Sequence, residues 1–499
     1  MINAQPNSGY SPNTIEGAKE KGAYYTPEHV VRSLLSWAVR STEDSLLDPS
    51  CGDGRFVAGH LRSVGIEQDP NASAAAMQRA PGALIYEGDF FTWAGSTEER
   101  FECAAGNPPF IRYQRFRGAT RARAIDLCDT LGVRFSALSS SWPLFLVATG
   151  HLLRPGGRMA FVVPAEVGHA PYSAPLIEYL TKNFGFLQIV AVRSKLFPHL
   201  SEDCWLLYAH SKGGTTQEIC LSVLDSFHHS VTPPPVDVRV ALSTWRSTWN
   251  RRLRPFLMPK AVRDLYERVT HDDGCLRLGT LAQVNIGYIS GANDFFHLRL
   301  SEAQDMGIPS ACLQVTVRNG RALPSSRLDP TVVERWLRED RQTLLLRLQK
   351  NQELPVPVRS YLETARAKQV SGGYKCRTRH PWYVVPDVKI PDYFLSYMSG
   401  RQVLLVENAA RCSCTNSLHT VRLKDKAALP RIQAMQNSQL FQLSCEIEGH
   451  PLGGGMLKLE PREACKILVP GLTTLAEADS NIVEDGITAL QAWRHYGSA

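Results

Sequence analysis

Ser45-Leu46-Leu47-Asp48-Pro49-Ser50-Cys51-Gly52-Asp53-Gly54 is the stretch on which the fold turns. Ser45 to Leu47 reads as a short strand, and a glycine-rich loop leads from it into a helix expected from Arg55. Strand, glycine loop and helix together form the entry to a nucleotide-type crevice. The loop is not Gly-x-Gly-x-x-Gly, and no Gly-Lys-Ser/Thr follows to make it a P-loop. Gly52 and Gly54 let the backbone approach a ligand closely. Asp48, at the strand end, can accept a hydrogen bond from an ammonium or hydroxyl group. Glycine turns are common, so the neighbouring segments decide what this one means.

Upstream, Thr26-Pro27-Glu28 reads as an N-cap, an N1 proline and an early acid, predicting a helix to about Val39. Downstream, Gly65-Ile66-Glu67 places an acid at the end of a short second strand. Glu67 lies 19 residues after Asp48, close to the spacing of about 20 at which a carboxylate meets ribose hydroxyls. Ala83 to Tyr86 is a third strand, followed by Glu87-Gly88-Asp89-Phe90. Asp89 can accept from an adenine amino group while Phe90 packs on the ring. Phe101 to Ala105 reads as a buried strand that Gly106 ends, and Asn107-Pro108-Pro109-Phe110 follows. Two prolines stiffen φ and remove two donors, leaving outward carbonyls as fixed acceptors. The Asn107 oxygen beside them completes an acceptor pair for a planar –NH2 group, and Phe110 offers a stacking face. Any one of these acids is ordinary on a protein surface. Three at successive strand ends, before a socket for an aromatic amine, form a site.

The 499 residues suffice for two or three domains, and 43% hydrophobic with 21% charged residues is ordinary for a globular chain. The most apolar region, Trp142 to Val163, is interrupted by His151, Arg154 and Arg158, so no membrane span is expected. Residues 1–20 read as a disordered tail without a signal-peptide core. The 12 cysteines follow no disulfide or zinc-ligand rhythm, which points to reduced thiols and no metal. The net charge of +7 permits a polyanionic partner. Arg112, Arg115, Arg117, Arg121 and Arg123 crowd the segment after the socket. Arg246, Arg251, Arg252 and Arg254 form a second cluster, interleaved with Trp245 and Trp249. A solvated helix face is the plain alternative for either cluster, but guanidinium groups beside a base-sized socket suit phosphate contacts better.

Further strands are expected at Met159 to Val163, Leu187 to Val192 and Cys204 to Tyr208, the last two joined by a loop carrying Phe197-Pro198-His199. The alternating pattern predicts a doubly wound α/β domain over 21–212. Residues 213–274, with Gly213-Gly214 and Pro233-Pro234-Pro235, read as a connector and linking helix. Residues 275–499 read as a second, irregular α+β domain.

In this order, Tyr25-Thr26-Pro27, the Asp48 to Gly54 loop, Glu67, Asp89 and Asn107-Pro108-Pro109-Phe110 resemble the motifs of the gamma-class N6-adenine DNA methyltransferases, the TaqI-like group. The C-terminal segments Gly287 to Phe296, His380-Pro381-Trp382-Tyr383 and Gly453 to Pro461 resemble parts of that group's target-recognition domain. The resemblance implies a Rossmann-like adenosylmethionine-dependent methyltransferase domain followed by an α+β target-recognition domain, here 275–499. It implies that S-adenosyl-L-methionine is held by Thr26, Asp48, Pro49, Ser50, Cys51, Gly52, Gly54, Glu67, Asp89, Phe90 and Pro109. Phe110 and Phe197 become the walls of a pocket for a flipped adenine, with Asn107 and Pro108 holding its amine. Arg112, Arg115 and Arg117 are expected on double-stranded DNA. Phe110 stands where many relatives have Tyr, and stacking needs no hydroxyl. The implied setting is a prokaryotic cytoplasm, with a separately encoded restriction endonuclease as partner.

Three rivals use similar residues. Glutamine-N5 protein methylation shares the Asn-Pro-Pro motif but needs neither the C-terminal domain nor the arginines. Cytosine-N4 methylation usually begins its motif with Ser. A catalytically dead DNA-binding subunit would not keep complete motifs. Pro386-Asp387-Val388-Lys389 has the look of a nuclease fragment but lacks a separate acidic partner, and reads as a turn.

Overall fold

The computed structural model describes residues 25–198, 200, 202–452, 454–477 and 479–496; the expected N-terminal tail lies outside them. The chain divides into two units, Met1–Leu257 and Met258–Ala499.

Five strands of the first unit are parallel: β1 (Leu46–Asp48), β2 (Ser63–Glu67), β3 (Leu84–Glu87), β4 (Phe101–Gly106) and β5 (Leu153–Pro164). Then come β6 (Phe184–Val192), β7 (Cys204–Lys212), β8 (Glu218–Leu224) and β9 (Val238–Ala241), giving the order β3-β2-β1-β4-β5-β7-β6-β8-β9. β7 runs antiparallel between β5 and β6. β1 and β4 are apolar on both faces because helices cover the sheet. In particular α1 (Glu28–Ala38) presses Val30, Val31, Leu34 and Leu35 onto a core that includes Leu46, Cys103, Ala105, Ala160 and Val190. The others used below are α2 (Pro70–Arg79), α3 (Phe90–Ala94), α4 (Gly118–Thr130) and α5 (Trp142–His151). Residues 142–150 of α5 are buried throughout, so the apolar run noted above is a core helix feeding β5. Among the described residues no helix is long and apolar enough to cross a membrane.

The strand order reverses between β1 and β4. The chain leaves β1 toward β2 and β3 on one side, then returns to β4 on the other. Their carboxyl ends therefore open a crevice that no crossover covers.

Three expectations are corrected. Thr26 does not cap α1: Pro27 stands at the N-cap position, and no side chain caps the helix. No helix follows Gly54; a single 3-10 turn, Val57–Gly59, leads into β2. Fourteen residues separate Asp48 from Ser63, and the glycine loop uses the first six of them, leaving eight to return to the sheet. Residues 213–274 are not a connector, because β8 and β9 lie within them and extend the sheet. The prolines that resemble a linker are docked on it. Gln188 Nε2 donates to the Pro234 carbonyl at 2.8 Å, and Ser222 Oγ to the Pro235 carbonyl at 2.7 Å.

The second unit is α+β. One antiparallel sheet joins Ala282–Ile286, Leu418–Leu423, Tyr393–Ser396 and Leu405–Glu407. Another joins His297–Leu298, Leu344–Leu346, Leu313–Val317 and Ser413–Cys414. Pro386 and Asp387 form a turn whose Val388 packs into an apolar cluster. Near the C-terminus Arg494 is 0% exposed and pairs with Glu446 at 2.7 Å, while donating to the Gly400 carbonyl at 2.6 Å and to the Gly455 carbonyl. Removing one member of a buried pair leaves the other charge stranded in the core. Arg494→Met should therefore lower the unfolding free energy of this unit by about 3–5 kcal/mol, read by urea denaturation.

Candidate active site

The crevice is built from four loops. At its floor Asp48 is 1% exposed at the end of β1. Beside it, Gly106 ends β4, and a Cβ there would lie 2.6 Å from Asp48 Oδ1. Only a glycine lets the two strand ends meet around this carboxyl. Burial pushes the Asp48 pKa up from 3.8 to about 8; the Ser50 backbone N–H, 3.1 Å away, opposes the shift and the charge of Glu67 adds to it. Among the described residues no cation pairs with Asp48, so the site is electrostatically prepared for a positively charged ligand.

The glycine loop is shaped as its sequence requires. Gly52 and Gly54 have φ of +55° and +86°, a region costly for other residues. A Cβ on Gly54 would also lie 2.8 Å from the Ala76 Cα of α2. Pro49 and Cys51 are buried beneath the loop. Cys51 fits against Gly65, where a Cβ would come within 2.8 Å of its sulfur, and burial raises its thiol pKa well above 9.0. Asp53 is ion-paired with Arg55 at 3.2 Å and Arg79 at 2.9 Å, which ties the loop to α2. Arg55 also donates to the Thr26 carbonyl at 3.2 Å, fixing Thr26, 3% exposed, behind the loop.

Glu67 accepts from the backbone N–H of Gly52 at 2.9 Å and of Asp69 at 2.7 Å. These two bonds aim a half-buried carboxylate across the glycine turn. Asp89 caps α3, accepting from the Thr92 backbone at 2.8 Å and its hydroxyl at 2.7 Å, and remains half-exposed. Phe90 departs from expectation. It is 3% exposed, with its ring stacked on Phe145 at 5.2 Å and 11°, so protein already covers the face expected for a ligand.

Ser50 Oγ donates to the Asn107 carbonyl at 3.4 Å, joining the glycine loop to the Asn-Pro-Pro-Phe segment. Pro108 is buried, while Asn107, Pro109 and Phe110 are half-buried. Phe110 packs against the cluster that contains Phe197, itself 6% exposed, so the two proposed walls share one apolar surface. Sequence reasoning passed over Ser141, which is fully buried ahead of α5. Its Oγ donates to the Pro109 carbonyl and accepts from the Ile111 N–H at 2.9 Å; its own N–H donates to the Ile111 carbonyl at 3.0 Å. Three bonds from one residue thus hold the exit of the socket. The available signal was the serine run Ser139-Ser140-Ser141 immediately before a wholly apolar helix.

The arginines separate by role. Arg112, still largely exposed, pairs with Glu202 at 3.1 Å and so bridges to the loop that carries Phe197. Arg115, Arg117 and Arg123 are exposed. Arg121 is structural, donating to the carbonyls of Phe116 at 3.0 Å and Ala137 at 2.6 Å. The second cluster is largely structural. Trp245 and Trp249 are 0% and 3% exposed, Arg252 and Arg254 are buried, and Arg246 forms a two-pronged pair with Glu178 at 2.9 and 2.7 Å.

This sheet, with carboxylates ranged along the ends of β1, β2 and β3 and Asn107-Pro108-Pro109-Phe110 at the end of β4, has an adenosylmethionine-dependent methyltransferase fold. Residues 11–78 match the family described as N-6 DNA Methylase, and residues 250–493 match the C-terminal domain of Type II methyltransferase M.Eco57I. The chain is similar to Type II methyltransferase M.XamI of Xanthomonas campestris pv. amaranthicola, with 23% identity over 92% of this chain and 86% of that protein. It is also similar to Type II methyltransferase M.AccI of Acinetobacter calcoaceticus, with 18% identity over 96% of this chain and 91% of that protein. The Type IIL restriction–modification enzyme MmeI, solved in complex with DNA, superposes with a TM-score of 0.48 at 14% identity over 90% of this chain and 63% of that chain. These matches, at both ends of the chain, support a Type II DNA methyltransferase of a restriction–modification system.

Two measurements test this geometry. Unfolded, Asp48 ionises near 3.8; folded and ligand-free, it ionises near 8. The fold carries no penalty below the lower value, an increasing one between the two, and a constant one above the higher. Asp48→Asn should therefore match the parent in stability at pH 4 and exceed it by a margin that grows until about pH 8, read by urea unfolding across pH. Ser141→Ala should lower kcat by about a hundredfold through displacement of the socket, with cofactor affinity unchanged. A fall in Tm with kcat intact would reduce Ser141 to packing.

Proposed function

We propose that this protein transfers a methyl group from S-adenosyl-L-methionine to the N6 amine of an adenine flipped out of double-stranded DNA. The observation that carries this reading is the meeting of two sites at one switch point. The socket Asn107-Pro108-Pro109-Phe110 leaves β4 beside the buried carboxyl of Asp48 and the glycine turn of β1.

The cofactor supplies an electrophilic methyl group carried on a sulfonium. The residues present suit it. Asp48 and Thr26 would hold its positively charged methionine end, with Gly52 and Gly54 allowing close approach. Glu67 would accept from the ribose hydroxyls and Asp89 from the adenine amino group, with Pro109 alongside. Phe90 is assigned to the core instead. On the substrate side, the Asn107 side-chain oxygen and the Pro108 carbonyl accept from the two N–H groups of the target amine. That arrangement favours a pyramidal nitrogen whose lone pair is no longer committed to the ring. Preorganised acceptors of this kind are worth about 3 kcal/mol each in a dry site. Neither a general base nor a metal is needed for this polarisation.

Extruding the base costs a few kcal/mol, which stacking on Phe110 and Phe197 offsets. Phe197 must turn a face outward for this, which links base entry to the loop that Arg112 and Glu202 tie down. Arg115 and Arg117 are placed to contact phosphates, joined by Arg112 once its pair opens. Residues 258–499 serve as the target-recognition domain. Adenine is preferred over cytosine because the socket begins with Asn and residues 11–78 match an N-6 methylase family. Similarity to Type II enzymes supports a modification enzyme of a restriction–modification system; its proposed setting is a prokaryotic cytoplasm, with a separately encoded nuclease as partner.

Incubation with tritiated cofactor and plasmid DNA, followed by nucleoside mass spectrometry, should yield N6-methyladenine. N4-methylcytosine would move the reading to the other exocyclic amine, and unlabelled DNA would sink it. Asn107→Ala should lose about a hundred- to a thousandfold in methyl transfer while cofactor and DNA affinities hold.

A further inference from the structure

We infer that Lys368, Tyr374, Lys375 and Arg377, in the second unit, form a preorganised surface for the sugar-phosphate backbone of DNA. The inference rests on DNA being the substrate, and adds a binding surface apart from the methyl-transfer site.

Between Glu363 and Asp387 the chain carries Arg366, Lys368, Lys375, Arg377 and Arg379 and not one acidic residue. The net charge of the whole protein is only +7, so five uncompensated charges in so short a run are a local concentration. The run folds as two short helices, Ala365–Ser371 and Tyr374–Arg377, hinged at Gly372-Gly373. Their inner sides are anchored. Ala367 and Cys376, 0% and 1% exposed, pack into the cluster of Phe295, Phe296 and Tyr361. Arg379 donates to the carbonyls of Ile289 and Ser290, both at 2.7 Å. Gly291, with φ +86°, lets its loop pass so close that a Cβ would lie 2.8 Å from Lys375 Cβ. Thr364 caps the first helix by accepting from the Ala367 N–H at 3.2 Å.

The outer side is of the opposite character. Lys368, Lys375 and Arg377 are exposed, and Tyr374 is 67% exposed although it is a large aromatic. Lys375 Nζ and Arg377 Cζ lie 5.7 and 5.6 Å from the centre of its ring. Packing does not require a tyrosine here, since the cluster beneath closes without it. A ring held in water beside two cations, on a backing pinned by buried contacts, suits a polyanion that also presents flat apolar edges. In DNA, phosphates meet the ammonium and guanidinium groups, and sugar or base edges meet the ring. An acidic peptide would satisfy the charges but leave the ring without a matching face.

The test uses the full-length protein and a fluorescein-labelled mixed-sequence duplex, titrated over a series of KCl concentrations. The triple variant Lys368→Gln, Lys375→Gln, Arg377→Gln should bind about tenfold or more weakly, with the slope of log K against log salt shallower by about 0.9 for each contact removed. Tyr374→Ala should weaken binding about tenfold with the salt slope unchanged, and Tyr374→Phe should restore it. Thermal melts matching the parent would establish that the variants fold, as expected for exposed positions. Parent-like affinity and slope in the triple variant, with the parent binding DNA, would overturn the surface and leave the proposed reaction standing. A parent that neither binds the duplex nor methylates DNA would overturn both.

Discussion

Asp48 is a carboxyl group with almost no water around it, held where two strand ends nearly touch. Gly106 has no side chain to separate them, and the Ser50 N–H gives the carboxyl a single backbone donor. Burial with no cation paired to it among the described residues is unfavourable for a charged group, so the ligand-free pocket keeps this acid neutral up to about pH 8. The rest of the site is arranged around that constraint. The glycine turn must pass over the carboxyl, and Cys51 must fit against Gly65 for it to do so. Glu67 reaches back across the turn because two backbone N–H groups hold it there.

The second requirement is stiffness in the segment proposed to hold the target amine. Two prolines restrict Asn107 to Phe110 from within, and Ser141 restricts it from outside through Pro109 and Ile111. Arg121 performs a similar task for the following loop by bonding to main-chain carbonyls. This explains why arginines cluster there without all of them facing solvent. The Arg112–Glu202 pair differs in kind, because it is largely exposed and joins two loops that have reason to move. An exposed pair contributes little to stability, which suits a tie that would open under the proposed base entry. Rigid acceptors and a loosely tied aromatic wall are the two properties that a base-flipping site needs together.

In the C-terminal unit stability comes from contacts distant in sequence. Arg494, near the chain end, is enclosed by Glu446 and by the carbonyls of Gly400 and Gly455. The basic segment at 364–380 depends on Ile289 and Ser290 for its anchorage. Its charges face outward because the carbonyls of another loop fix Arg379 and hydrophobic neighbours fix Ala367 and Cys376.

The sequence by itself determined the parallel half of the sheet and the chemistry at its strand ends. Apolar runs of strand length, each closed by an acid or by Asn-Pro-Pro-Phe, are local signals, and the reversal of strand order places them in one crevice. Glu67 and the glycines fell where that pattern put them. Other features were decided by tertiary structure because they depend on partners far along the chain. The residues between Gly54 and Ser63 fold as a single 3-10 turn rather than the helix their pattern suggested. Pro233 to Pro235 resembled a linker until Gln188 and Ser222 docked it on the sheet. Phe90 went to the core because Phe145 covers its face, and Trp245, Trp249, Arg252 and Arg254 did likewise. Ser141 became part of the socket only when α5 brought it beside Pro109. A side chain's chemistry is written locally, but whether water, protein or ligand meets it is settled by what folds against it.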